Sequence, residues 1–186
     1  MKRLLLIITS LLFITSTTFS QSKVNVNSLK EYGGKVWKVD DDKPYTGRVF
    51  DLNRSTGKKI LQGQYKNGLK TGKWTEWYRN GQKEYETTFK DGKPNGLFTK
   101  WDSNGQKKVK GTYKDGKWDG LNTSWYENGQ KYSEGTYTYK DGDYSGEKDG
   151  LWTYWYENGQ KRWEKTYKDG ELISKKEWNE DGSVKE

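Results

Sequence analysis

The 186-residue chain contains no histidine and no cysteine, and only two prolines and one methionine. Without His it lacks the usual general base, the Ser–His and Cys–His nucleophile systems and the commonest metal ligand. Without Cys, thiolate zinc sites, iron–sulfur clusters, disulfides and a lipoprotein attachment site all drop out. Hydrophobic residues are scarce too, at 30% against 32% charged, a balance that ordinarily favours disorder. The abundant residues overrule that reading. Aromatics reach 16% and glycines number 22, and both recur with a period, which disordered segments do not show.

The period rests on one phrase in four copies: Trp77-Tyr-Arg-Asn-Gly-Gln-Lys83, Trp101-Asp-Ser-Asn-Gly-Gln-Lys107, Trp125-Tyr-Glu-Asn-Gly-Gln-Lys131 and Trp155-Tyr-Glu-Asn-Gly-Gln-Lys161. Asn and Gly adopt positive φ cheaply, so Asn-Gly between extended segments is a strong hairpin signal. A second turn signal alternates with it at Lys66-Asn-Gly68, Lys90-Asp-Gly92, Lys114-Asp-Gly116, Lys140-Asp-Gly142 and Lys168-Asp-Gly170. The phrase glycines Gly81, Gly105, Gly129 and Gly159 are spaced by 24, 24 and 30. Such a period predicts a repeat architecture. The expected fold is all-β: tandem hairpins forming one elongated, twisted antiparallel sheet over residues 32–182, about five repeats with partial caps.

The fourth repeat breaks the period. Tyr137-Thr-Tyr139 adds two residues, which preserves strand facing, and Asp143 to Lys148 lengthens the next connection by four, where insertion costs little. A partial hairpin around Glu180-Asp-Gly182 ends the series, with a charged strand that suits a terminal cap. Residues 183–186 are expected to form a tail. Residues 21–31 read as a flexible polar leader, and Tyr32 to Val39 as a strand. Asp40-Asp41-Asp42 lacks the alternating ligands and closing Glu of a calcium loop, so a solvated turn is expected there.

Lys2 and Arg3 precede an apolar run from Leu4 to Ile14 and small polar residues to Ser20. This is the layout of a secretory signal peptide over residues 1–20, with a retained anchor as the alternative. The run is too short to span the ~30 Å hydrocarbon layer as a helix. Export to the periplasm, cell surface or medium is the expectation. The net charge of +8 is spread evenly along the chain, which favours a solvated polar face over an anionic partner.

Facing follows from the turns. A three-residue loop with glycine in a bulge puts Trp77 on the face of Tyr85 and Phe89, whereas a two-residue turn puts Trp74 and Tyr78 there. The first choice gathers the recurring Trp with the recurring Tyr and Phe and is the one expected. Trp77, Trp101, Trp125 and Trp155, with Gly81, Gly105, Gly129 and Gly159, then define the repeat. Trp74, Tyr78, Trp152, Tyr154 and Tyr156 become the exposed rings, a candidate surface for a partner or ligand.

The units Gly72-Lys-Trp-Thr-Glu-Trp-Tyr-Arg-Asn-Gly-Gln-Lys83 and Tyr113-Lys-Asp-Gly-Lys-Trp-Asp-Gly120 resemble the bacterial variant of the MORN repeat, and Pro44-Tyr-Thr-Gly47 looks like its usual opening. The resemblance covers about residues 32–182. Chains of this kind are commonly identified as YwqK-family antitoxins. The resemblance implies a hairpin ribbon that binds another protein, a toxin included. It carries over no catalytic residue. An exported copy would neutralise only a toxin acting outside the cytoplasm.

No catalytic, metal or cofactor site is expected from the residues themselves. Glu127 and Glu157 precede exposed turns, where a raised pKa suited to glycoside hydrolysis is rare. None of the glycines follows the strand, loop and helix order of a phosphate cradle. Aromatics interleaved with Lys can stack single-stranded nucleic acid, a ligand that an exported protein seldom meets. Two functions are therefore weighed: a non-catalytic protein-interaction scaffold, antitoxin-like or otherwise, and a module binding cell-wall or surface glycans through exposed rings. A third reading leaves the rings merely covering neighbouring strands.

Overall fold

The computed structural model describes residues 23–140 and 146–186. The expected signal peptide, and most of the connection around Lys140-Asp-Gly142, lie outside the described residues. What is described is all-β, without an α-helix. The strands are β1 (Val24–Asn25), β2 (Leu29–Tyr32), β3 (Lys35–Lys38), β4 (Gly47–Leu52), β5 (Lys59–Lys66), β6 (Leu69–Trp77), β7 (Lys83–Lys90) and β8 (Lys93–Trp101). They continue with β9 (Lys107–Lys114), β10 (Lys117–Trp118), β11 (Gly120–Trp125), β12 (Lys131–Thr138), β13 (Glu147–Trp155), β14 (Lys161–Lys168) and β15 (Glu171–Glu177). From β4 to β15 each strand pairs antiparallel with the next, with the short β10 set beside β9, so one 13-stranded sheet carries all the repeats.

Two kinds of turn alternate along it. Asn67/Gly68, Asp91/Gly92, Asp115/Gly116 and Asp169/Gly170 pair φ values near +50° and +80° to +90°. These are two-residue turns of type I′, whose twist matches that of the flanking strands. The phrase turns are longer. Gly81 donates to Tyr78 O and Tyr78 donates to Gln82 O, both 2.9 Å, with Gly81 at φ +93°. This is the expected three-residue loop with its glycine bulge, and it recurs at Gly105, Gly129 and Gly159, and at Gly182 in the terminal hairpin.

The facing that this loop was expected to impose is nevertheless reversed. Trp77 pairs with Lys83, but Glu76 pairs with Tyr85, so Glu84 is a second, unpaired insertion. The same slip leaves out Ile60, Lys108, Tyr132 and Arg162 in the other hairpins. One bulge flips every side chain and a second flips it back. Tyr85, Thr87 and Phe89 therefore share a face with Trp74, not Trp77.

Each long strand also bends at a glycine. Gln62 pairs with Thr75 and Gln64 with Thr71, so four steps on β6 oppose two on β5 around Gly72, at φ +64°. Gly96 and Gly150 mark the same bend in β8 and β13. The bend returns the strand over its own ring: Lys70 Nζ lies 4.5 Å from the Trp74 ring centre, whereas four extended residues would span about 13 Å.

The core lies on this ring face. Tyr45, Tyr65, Trp74 and Phe89 meet edge to face in series, and Phe98, Tyr113, Trp118, Tyr137, Trp152, Tyr154 and Trp163 continue the row. Tyr113–Trp118, Trp118–Tyr137 and Trp152–Tyr154 are stacked and the other pairs meet edge to face, and both arrangements suit the ring quadrupole. The indole N–H groups of Trp74 and Trp152 donate to Gln64 O and Thr136 O. Where the fourth repeat has Asn122 in place of a ring, Trp118 fills the space, stacked 4.0 Å from Tyr113.

The ends differ from expectation. Residues read as a leader supply β1, which pairs parallel to β4, and Val24, Val26 and Leu29 pack on the core around the fully buried Val49. Tyr32 to Val39 is not one strand; β2 and β3 form a separate hairpin around Gly33-Gly34. The tail pairs back on the sheet, with a bridge between Trp178 and Val184 and a bond from Lys185 N to Glu177 O. Asp40, Asp41 and Asp42 form an exposed turn.

Candidate functional site

The five rings expected at the surface are not there as a platform. Trp74 and Trp152 are 2% exposed and Tyr154 is 8% exposed; all three belong to the core. The second bulge is the reason, since it turns the expected outer face inward. Tyr78 and Tyr156 are half-buried and serve as ties: their hydroxyls donate to Trp101 O and Trp178 O, and Tyr126 does the same to Trp155 O. Burial raises the pKa of Tyr154, and of Tyr78 and Tyr126 also. A glycan platform built on Trp74, Trp152 and Tyr154 is therefore not available.

The phrase is explained as glue between repeats. Asn80, Asn128 and Asn158 accept from the backbone of Gln82, Gln130 and Gln160 within their own turns. Their amide groups donate to Ser103 O, Glu157 O and Glu180 O of the next turn. The opposite row of turns is laced by glycine N–H groups, from Gly92 to Lys70 O and from Gly116 to Pro94 O.

The face opposite the rings is the open one. From β8 through β12 it reads Leu97, Thr99, Trp101; Lys107, Lys110, Thr112; Leu121, Thr123, Trp125; Lys131, Glu134, Thr136, with cross-strand pairs Thr99–Lys110, Lys110–Thr123 and Thr123–Glu134. Thr99 and Thr123 are buried at its centre, while Leu97, Leu121 and Leu151 are 44%, 58% and 54% exposed. The phrase tryptophans sit half-buried along one margin. Lys59, Lys83, Lys131 and Lys161 stand over Trp77, Trp101, Trp155 and Trp178, with Nζ 5.5–5.7 Å from the ring centres.

Charge on this face is mostly neutralised in place. Lys73 and Lys83 both reach Glu86, at 2.8 and 2.9 Å, and Lys131 reaches Glu134 at 2.7 Å. Burial pushes the Glu86 carboxyl up, but the hydrogen bonds from Lys73 and Lys83 outweigh it and hold its pKa below the ordinary value. The pattern changes at the third repeat. Lys110 stands where Glu86, Glu134 and Glu164 stand in the second, fourth and fifth repeats, and neither it nor Lys107 has an ion-pair partner among the described residues.

These two lysines line a concavity of about 330 Å³ together with Leu97, Leu121, Trp125, Lys131 and Glu134. Its apolar side chains, its two lysines without an ion-pair partner and the Lys131–Glu134 pair on its rim offer area and charge for binding. Among the described residues no group of Asp and Glu is arranged to hold a metal ion. Sequence reasoning passed over Leu97, Leu121, Leu151 and Lys110. The exchange of Glu for Lys at 110 was visible, but its meaning depends on which face it occupies.

The sequence profile described as the MORN repeat variant matches residues 70–91, 94–115, 118–139 and 148–169. No curated protein matches the chain.

Proposed function

We propose, from the four tandem MORN-variant repeats that this chain carries, that it is a non-catalytic scaffold that binds another protein. MORN repeats are often protein-binding repeats, and the observation that favours this reading here is the open face. It presents an exposed leucine row on a sheet in which several turns on each margin are tied to the next. A surface held in place before contact loses little entropy on association. We place the chain outside the cytoplasm, on the strength of Lys2, Arg3 and the apolar run after them. There its partner is a secreted protein, and the narrower form of the proposal is an antitoxin-like partner that masks a toxin.

A photo-crosslinking residue at position 121, in the full chain within its own cells, tests this. The expected product is a discrete protein adduct, absent when the same residue replaces Glu180 in the terminal turn. Identical adducts from both positions, or none from position 121, would overturn the scaffold reading. The narrower form requires more: the captured protein expressed alone must arrest growth, and co-expression with this chain must relieve the arrest.

A further inference from the structure

The open face is not uniform: where the second, fourth and fifth repeats carry a glutamate, the first has Gln62 and the third a lysine. Lys110 lies between Thr99 and Thr123, on the line that carries Glu86, Glu134 and Glu164 in those three repeats. Each of those glutamates takes an ammonium group from its own returning strand: Lys83, Lys131 and Lys161 respectively. Lys110 removes the acceptor, so Lys107 loses the partner that its counterparts have. Lys107 and Lys110, without an ion-pair partner among the described residues, then face the Lys131–Glu134 ion pair across a concavity that Leu97, Leu121 and Trp125 also line. Leu97 and Leu121 are 44% and 58% exposed.

We propose that this concavity, at the junction of the third and fourth repeats, is the docking site for a partner segment that carries carboxylates beside apolar side chains. The proposal rests on the scaffold reading and names the chemistry of its partner. The apolar side chains cover Leu97, Leu121 and the exposed part of Trp125, removing apolar area from water. The carboxylates reach Lys107 and Lys110, which no carboxylate among the described residues already holds. A purely acidic segment gains only screened charge contacts at an exposed surface, so both components are needed.

The test uses the full chain without its first 20 residues and a fluorescein-labelled decapeptide of alternating Glu and Leu. The expected result is saturable binding that weakens at least tenfold in Lys110→Glu, a change that installs the residue found in the second, fourth and fifth repeats and so keeps the fold. Leu121→Asp is expected to weaken it similarly. Lys90→Glu, the same charge change at an exposed position by a turn, is expected to leave it within twofold. Equal loss in Lys90→Glu, equal binding of a deca-glutamate, or no binding of the Glu-Leu peptide would each overturn the site. Lys110-dependent binding of phosphatidylglycerol vesicles without peptide binding would also overturn it, in favour of a membrane surface. Crosslinks from position 121 that persist in Lys110→Glu would sink this site and leave the scaffold reading standing.

Discussion

A methyl group at Gly135 would sit 2.2 Å from Cδ2 of Trp152, and one at Gly63 would sit 2.2 Å from Cδ2 of Trp74. Both indoles lie flat against a backbone that has no side chain to offer. Where the ring is the smaller Phe98, its partner position holds Thr87. Size is thus matched pair by pair along the row. Gly135→Ala is expected to lower stability by about 1–3 kcal/mol, the usual cost of overpacking, and the midpoint of urea unfolding measures it. Tyr126→Phe removes only the tie to Trp155 O, at an expected cost of about 1 kcal/mol in the same measurement. Both losses arise in the folded state, so the urea slope should not change.

Strand facing was the part of the fold that the sequence concealed. The turn glycines, both loop types, the period and the terminal hairpin all announce themselves through residues with special φ. The second bulge has no such mark, since its unpaired residue is Ile60, Glu84, Lys108, Tyr132 or Arg162, five side chains with no shared chemistry. Because the site is read off the facing, the rings at 74, 152 and 154 were assigned outward and Leu97, Leu121 and Lys110 went unremarked. The last strand carries its own tension. Lys165 pairs directly with Lys175, and burial, then the charges of Lys175 and Lys148, pull its pKa below the ordinary value. Lys165→Met keeps the apolar stem on Trp163 and removes a like-charge opposition, so a gain of a fraction of a kcal/mol is expected, shrinking as salt rises. Glu177 is the counterweight: hydrogen bonds from Lys175 and Lys185 bring its pKa from 4.5 to about 2. A carboxyl depressed in the fold contributes fully above the unfolded value and loses that contribution as pH falls through the folded one. The terminal hairpin should therefore hold down to about pH 4.5 and loosen toward pH 2, as hydrogen exchange of the Lys185 amide would show. Intact protection at pH 2 would count against it.

At the scale of the whole molecule, each repeat touches its neighbours and little else, which makes stability a sum over adjacent units. Excising residues 93–116 joins Gly92 to Lys117 and restores the turn sequence Asp-Gly-Lys. The shortened chain is expected to keep its β-type circular dichroism and to lose about 9–10 Å of length in solution scattering, the width of two strands. It should also lose the Glu-Leu peptide, because Leu97, Lys107 and Lys110 leave with the excised segment. An unfolded product would contradict the additive picture. The paired bulges set a further rule on how such a chain can change over time. A lone inserted codon in a hairpin arm would invert the parity of that arm and turn its indoles toward solvent. Whole modules and insertions of even length leave parity untouched; the six extra residues between Gly129 and Gly159, two at Tyr137-Thr-Tyr139 and four in the next connection, are that kind of tolerated irregularity. Growth of this protein is therefore quantised, as in a knitted fabric that can gain complete rows but not half a stitch.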